Sequence, residues 1–296
     1  MDWLIGLFVA KERGSTVYSG EDDIVFTSMK ILSMLDVRCI RGADETHHRP
    51  SPISNIRQSE KWDCGLACLQ MVHRWLCQPN NSKASDYSDV FKTERQWIRD
   101  LVATKSVWTP DLVNALDRMR SMSGSSEEPF PKMSNFSYLY CTTKLGVDTS
   151  FEDLDYYRES FQCDETRVKS LLEHAKRRGL PMVQVSRLCF EEFAEVISHS
   201  EVVAIVLVDN HVLTKGPCER SANSTYRGHY ILVSGISYRE EDVKFANVKS
   251  FDDREYCMVV KNPGVTVETE FVSPKRFEEA WRAVGTDEDV IFIAKH

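Results

Sequence analysis

Gln58-Ser59-Glu60-Lys61-Trp62-Asp63-Cys64-Gly65-Leu66-Ala67-Cys68 opens the densest part of the chain. Leu66, Leu69, Val72 and Trp75-Leu76 follow at near-helical spacing and Pro79-Asn80-Asn81-Ser82 closes the run, so residues 65–76 read as a helix with Cys64 at its first turn. Backbone N–H groups and the positive end of the macrodipole are exposed there, and both favour an anion. The thiolate is the nucleophilic form of cysteine, so this location predicts a lowered pKa and an activated sulfur. Gly65 leaves room for a substrate backbone. Gln58, six residues before the cysteine, places an amide donor where a tetrahedral oxyanion would develop. Two plainer readings stand beside this one. Cys64 and Cys68, four apart, can both be small core hydrophobes, or C-x3-C can be half of a metal site, a weak signal without a second Cys or His pair.

Upstream, Gly14-Ser15-Thr16, Gly20-Glu21-Asp22-Asp23 and His47-His48-Arg49-Pro50-Ser51-Pro52 interrupt any long period. Residues 1–52 therefore read as a partly disordered extension, with Ile24–Ile40 a short helix or a tail docked on the body. Downstream, helices are expected at Asp89–Thr104, at Thr109–Met119 with Thr109 as N-cap and Pro110 in the first turn, and at Asp164–Arg178, stopped by Gly179-Leu180-Pro181. Ser121–Ser134 is rich in Ser, Gly, Glu and Pro and predicts a flexible insertion near 121–135. The period then changes. Met182–Val185, Val202–Val208, His229–Ile236, Met258–Lys261 and Val290–Ile293 are short Val/Ile-rich runs that read as strands. Helices first and strands second predict an α+β body over 53–296, with N-terminal helices packed on an antiparallel sheet.

Composition narrows the partners. The 296 residues carry 45 acidic and 37 basic side chains, a net charge of −8, with no long basic block. That excludes the electrostatic footprint of a nucleic-acid binder and attraction to an anionic membrane surface. No stretch approaches the ~20 apolar residues of a membrane helix. The start has Asp2 where a signal peptide wants a base, and Lys11-Glu12-Arg13 cuts its apolar run. Nine cysteines, an odd number in a chain of this length, argue against a disulfide framework and for a reducing compartment, the cytoplasm or the nucleus.

Of eight histidines, only His229 begins a strand, in Gly228-His229-Tyr230-Ile231-Leu232-Val233. A strand supplies the rigidity a general base needs. In the later strand Cys257-Met258-Val259-Val260-Lys261-Asn262-Pro263-Gly264, the two-residue period places Met258, Val260 and Asn262 on one face, and Pro263 ends the pairing. An Asn at a strand end can accept an imidazole N–H and fix its tautomer. Alone, each is ordinary: a structural strand His and an Asn-Pro turn. Gln58, Cys64, His229 and Asn262 in that order give the Cys-His-Asn arrangement of papain-like hydrolases.

Q-x5-C-G-x-A-C at Gln58–Cys68, G-H-Y at Gly228–Tyr230 and Asn262-Pro263 resemble the cysteine peptidase domains that cut double-glycine leaders in bacteriocin-exporting transporters. Those domains carry Asp-Pro where this chain has Asn262-Pro263, so an orienting acceptor is kept and a negative charge lost. Trp62–Cys68, Ser106-Val107-Trp108-Thr109, Leu145-Gly146-Val147-Asp148, Glu165-Thr166-Arg167-Val168, Val203–Val208 and Gly285-Thr286-Asp287-Glu288-Asp289 are similar to motifs of the guanylyl cyclase domain-containing family, the plant-type soluble guanylyl cyclases. The resemblances imply a papain-like α+β fold. They imply a cysteine hydrolase of peptide or protein substrates that needs no cofactor, with Cys64 as nucleophile, His229 as base, Asn262 as orienter and Gln58 as oxyanion donor. The family name implies an alternative, conversion of GTP to cyclic GMP with Mg²⁺ or Mn²⁺, for which Asp287-Glu288-Asp289 is the only compact acidic cluster near a strand; it otherwise reads as a polar turn. No G-x4-G-K-[ST] phosphate loop is present. A third possibility is an inactive scaffold, favoured by a buried Cys64.

Overall fold

Val202-Val203-Ala204-Ile205-Val206-Leu207-Val208 is apolar at every position, the pattern of a strand covered on both faces. In a computed structural model describing residues 27–37, 50–77, 88–122, 132–146, 161–215, 226–246 and 256–296, it lies in the middle of a seven-stranded sheet. The strands are β1 (Phe136–Thr142), β2 (Met182–Gln184), β3 (Val202–Asp209), β4 (Gly228–Ser237), β5 (Cys257–Lys261), β6 (Glu270–Val272) and β7 (Val290–Lys295), in the order β2-β1-β7-β3-β4-β5-β6. The helices among the described residues are α1 (Ser28–Met34), α2 (Cys64–Cys77), α3 (Ser88–Val102), α4 (Thr109–Met122), α5 (Phe161–Arg178), α6 (Phe190–Ile197), α7 (Asn210–Lys215), α8 (Glu240–Phe245) and α9 (Pro274–Trp281).

The α+β expectation stands, with two corrections. The sheet is mixed: β1 and β2 run parallel and every other neighbouring pair is antiparallel. It is also covered on both faces rather than one. Strand alternation sorts the residues. Val203, Ile205, Tyr230, Leu232, Ile291 and Ile293 pack with Leu69 of α2 and Leu112 and Leu116 of α4. Ala204, Val206, Ile231, Val233 and Phe292 pack on the other side with Leu32, Phe193, Phe277 and Trp281. Phe193 anchors that second layer, its ring centroid 5.0 Å from Trp281, 5.3 Å from Phe277 and 5.6 Å from Phe292.

The unexpected cover comes from short elements. α6 and α9 are two turns each, too brief for a periodic signal; α9 starts at Ser273, whose side chain accepts from Arg276 N, with Pro274 in its first turn. α1 lies within the expected extension and docks on the body, with Ile31, Leu32 and Leu35 fully buried. Its start is held by α6: Ser28 Oγ donates to Glu195 Oε2 at 2.7 Å and Ser28 N to Glu192, acids where a helix N-terminus favours them. The rest of the extension, residues 1–26 and 38–49, and most of the expected insertion, residues 123–131, lie outside the described residues. Among the described residues no helix is long and apolar enough to cross a membrane.

If α1 is part of the core, Leu32→Ala lowers unfolding stability by about 2–5 kcal/mol in a urea titration. A loss below about 0.5 kcal/mol, the scale of ordinary surface substitutions, would show that α1 is only laid on the surface.

Candidate active site

Asp63 fixes the chain where it enters α2. Its carboxylate accepts from Glu60 N at 2.9 Å, Ser59 Oγ at 2.8 Å and Arg99 Nη2 of α3 at 3.3 Å. Cys64 follows as the first residue of the helix, and its Sγ accepts from Tyr230 N on β4 at 3.5 Å. Gly65 proves to be a packing residue rather than an opening for substrate: a Cβ there would meet Leu112 Cδ2 and Tyr230 Cδ2 at 3.1 Å.

Cys64 is buried, 7% exposed, and burial pushes its thiol pKa up to about 11 against backbone hydrogen bonds from Tyr230 and Gly65. The lowered pKa predicted from the helix start is therefore overturned, because a terminal dipole is worth only about 0.3–1 kcal/mol and desolvation outweighs it. Cys68, one turn on, is fully buried in the core, as its plainer reading had it.

His229 adjoins Tyr230 on β4 and is itself buried. Its Nε2 lies 2.8 Å from Asn262 Oδ1. The amide orientation is settled by its other partners: Gly264 N donates to Oδ1 at 2.9 Å and Nδ2 donates to Glu270 Oε2 at 2.6 Å. An amide oxygen only accepts, so Nε2 carries the proton and Nδ1 is the basic nitrogen. Burial lowers the His229 pKa, opposed by the Asn262 hydrogen bond and the Glu270 charge. At neutral pH the two groups thus rest as thiol and neutral imidazole. Glu270 escaped the sequence because only the pairing of β5 with β6, Val260 opposite Glu270, brings it behind Asn262. It returns the negative charge that Asn262 lacks relative to an Asp.

Gln58 is held by its backbone, Gln58 N donating to Pro263 O at 3.0 Å. Its Nε2 donates to Glu60 O at 2.7 Å, and its Oε1 is buried without a partner. The expected oxyanion donor is engaged elsewhere in this state. Gln58, Cys64 and His229 line one cleft of about 800 Å³, with Trp62, Trp108, Tyr140 and Asp289 among its other walls. Asn262 stands behind His229.

The acidic cluster is a turn, as its plainer reading had it, with Asp287 and Glu288 in left-handed conformation at φ 49° and 50°. Asp287 and Asp289 both line the cleft, and the Asp287 charge adds to burial in raising the Asp289 pKa. Glu288 pairs with Arg282 at 2.6 Å, while Asp289 is buried, accepting from Tyr140 OH at 2.9 Å and from Thr109. Among the described residues no three His, Cys, Asp or Glu side chains are grouped to hold a metal ion.

The sequence model of a family described as guanylylate cyclase matches residues 53–293. A relative called Guanylyl cyclase 1, from Arabidopsis thaliana, is 24% identical over 296 residues, covering 97% of this chain and 92% of its own.

Burial raises the Asp289 carboxyl from 3.8 to about 7. The unfolded chain releases this proton first, so between about pH 4 and 7 the folded state binds more protons and its stability falls as pH rises. Asp289→Asn flattens that decline in thermal melts across the window; parallel curves for the two proteins would contradict the assignment.

Proposed function

The chain belongs to the guanylylate cyclase family, and within it we propose a thiol enzyme that hydrolyses an amide bond of a peptide or protein in the Cys64 cleft. The observation that carries this is the fixed His229–Asn262 pair, with the adjoining Tyr230 N–H on the Cys64 sulfur. As Sγ attacks the carbonyl carbon, its proton passes to His229 Nδ1. Concerted transfer spares the site a free buried thiolate, which burial makes roughly 3 kcal/mol costlier than an ordinary one. The oxyanion meets the Cys64 backbone N–H, and Gln58 Nε2 once it leaves Glu60 O. The C–N bond then breaks, and His229 returns the proton to the departing amine. Water, deprotonated by His229, cleaves the thioester and restores the thiol. Asn262 holds the imidazole tautomer, and Glu270 stabilises the imidazolium through it. A helix-borne cysteine, a strand-borne histidine and an asparagine one residue past β5 fit a papain-like arrangement, which we include in the proposal.

The second reading is guanylyl cyclase activity on GTP. The names of the family and of the Arabidopsis relative favour it. So does the cleft, where Arg57, Lys61 and Arg227 offer cations to phosphates and Trp62 and Trp108 offer faces to a base. Asp287 and Asp289 line the same cleft while Glu288 is paired with Arg282, and no metal-dependent step is assigned to them.

One preparation separates the two. On a quenched-fluorescence peptide library the hydrolase is abolished by Cys64→Ser and falls about 10²–10⁴-fold with His229→Ala. Glu270→Gln moves the rising limb of its pH profile to lower pH, because losing a nearby negative charge lowers the His229 pKa. Cyclic GMP formed from GTP with Mg²⁺ or Mn²⁺, unchanged by Cys64→Ser and lost on replacing Asp287 and Asp289, would establish the cyclase and overturn the hydrolase. No turnover in either assay would leave the inactive scaffold, the reading that the burial of Cys64 favours.

A further inference from the structure

A second cysteine, at the other end of α2, has a tighter set of partners than Cys64. Cys77 is partly exposed, and its Sγ lies 3.5 Å from His73 Nε2, one helical turn back. His73 is 2% exposed, and its other nitrogen, Nδ1, lies 2.6 Å from Glu94 Oε1 of α3. Glu94 also accepts from Gln70 Nε2 at 2.7 Å and Arg74 Nε at 2.8 Å. Burial works to raise the Glu94 pKa, yet the hydrogen bonds from His73 and Gln70 and the Arg74 charge hold it below the usual value, so it is a carboxylate. A carboxylate only accepts, which assigns the proton to His73 Nδ1 and leaves Nε2 to take the proton of Cys77. Lys295 adds a cation within electrostatic range of the sulfur, its Nζ donating to Trp75 O at 3.1 Å. Against these acts the negative end of the α2 dipole, a smaller influence of about 0.3–1 kcal/mol.

We propose that the Cys77–His73–Glu94 set is a peroxide-sensitive modification site, separate from the cleft, at which Cys77 is oxidised to a sulfenic acid. Sulfur, its proton taken by His73 Nε2, attacks one oxygen of hydrogen peroxide. An S–O bond forms, the O–O bond breaks, and the departing hydroxide takes the proton from His73 and leaves as water. Cys77 is oxidised by two electrons and the peroxide is reduced. Cys163 and Cys189, both exposed and without a histidine in hydrogen-bond contact among the described residues, serve as internal references.

The experiment treats the native full-length chain at pH 7 with limiting hydrogen peroxide and a dimedone-type trap, and reads each cysteine by mass spectrometry. Cys77 is expected to be trapped at least about tenfold faster than Cys163 and Cys189, an advantage lost in His73→Gln and absent in urea. His73→Gln also strips Glu94 of a buried partner, so the comparison of native with urea-unfolded wild type tests the same point without a variant. Equal trapping of the three cysteines in the native protein, or an advantage that persists in urea, would overturn the proposal.

Discussion

The fit of the first turn of α2 against β4 sets everything at the cleft. Tyr230 is shared by the two elements: its backbone N–H reaches Cys64 Sγ, its ring fills the space that a Cβ on Gly65 would need, and its hydroxyl lies 2.9 Å from Thr109 Oγ1. Thr109 in turn opens α4 and meets Asp289 at the start of β7. One residue thereby fixes the spacing of cysteine helix, histidine strand and cleft floor. A side chain larger than hydrogen at 65 would push helix and strand apart, and tightly packed interiors transmit such shifts.

Desolvation gives the site its resting chemistry. Burial raises the Cys64 thiol and the Asp289 carboxyl and lowers His229, so all three are driven toward their neutral forms. Unpaired charges cannot be kept cheaply at this depth. Under the hydrolase reading, charge would appear only as the reaction proceeds, with Glu270 opposing the imidazolium's burial cost from behind Asn262. That charge reaches His229 through a hydrogen-bonded amide, a gentler influence than a carboxylate placed directly on the ring.

The long Val/Ile runs made β3, β4, β5 and β7 legible, since a strand buried on both faces needs apolar residues throughout. β1 was not: Phe136-Ser137-Tyr138-Leu139-Tyr140 follows a polar stretch and mixes aromatics with Ser, though it is buried almost throughout. β6, three residues long, exists by pairing with β5. At the site, residue order and type were enough to single out Cys64, His229 and Asn262, which the fold assembles. The energetics were not legible. A helix start read without its burial predicts the wrong sign for the thiol, and the side-chain direction of Gln58 depends on a local carbonyl. Glu270 comes behind Asn262 through strand register, which no spacing along the chain encodes.

The pairing of Cys64 with His229 is tested most directly by the alkylation rate of Cys64 with iodoacetamide at neutral pH, resolved from the other cysteines by mass spectrometry. If His229 takes the Cys64 proton, His229→Ala slows Cys64 by about tenfold or more while leaving the rate at Cys77 unchanged. An equal Cys64 rate in both proteins would contradict that pairing, leaving the cysteine a packing residue at the wall of the cleft.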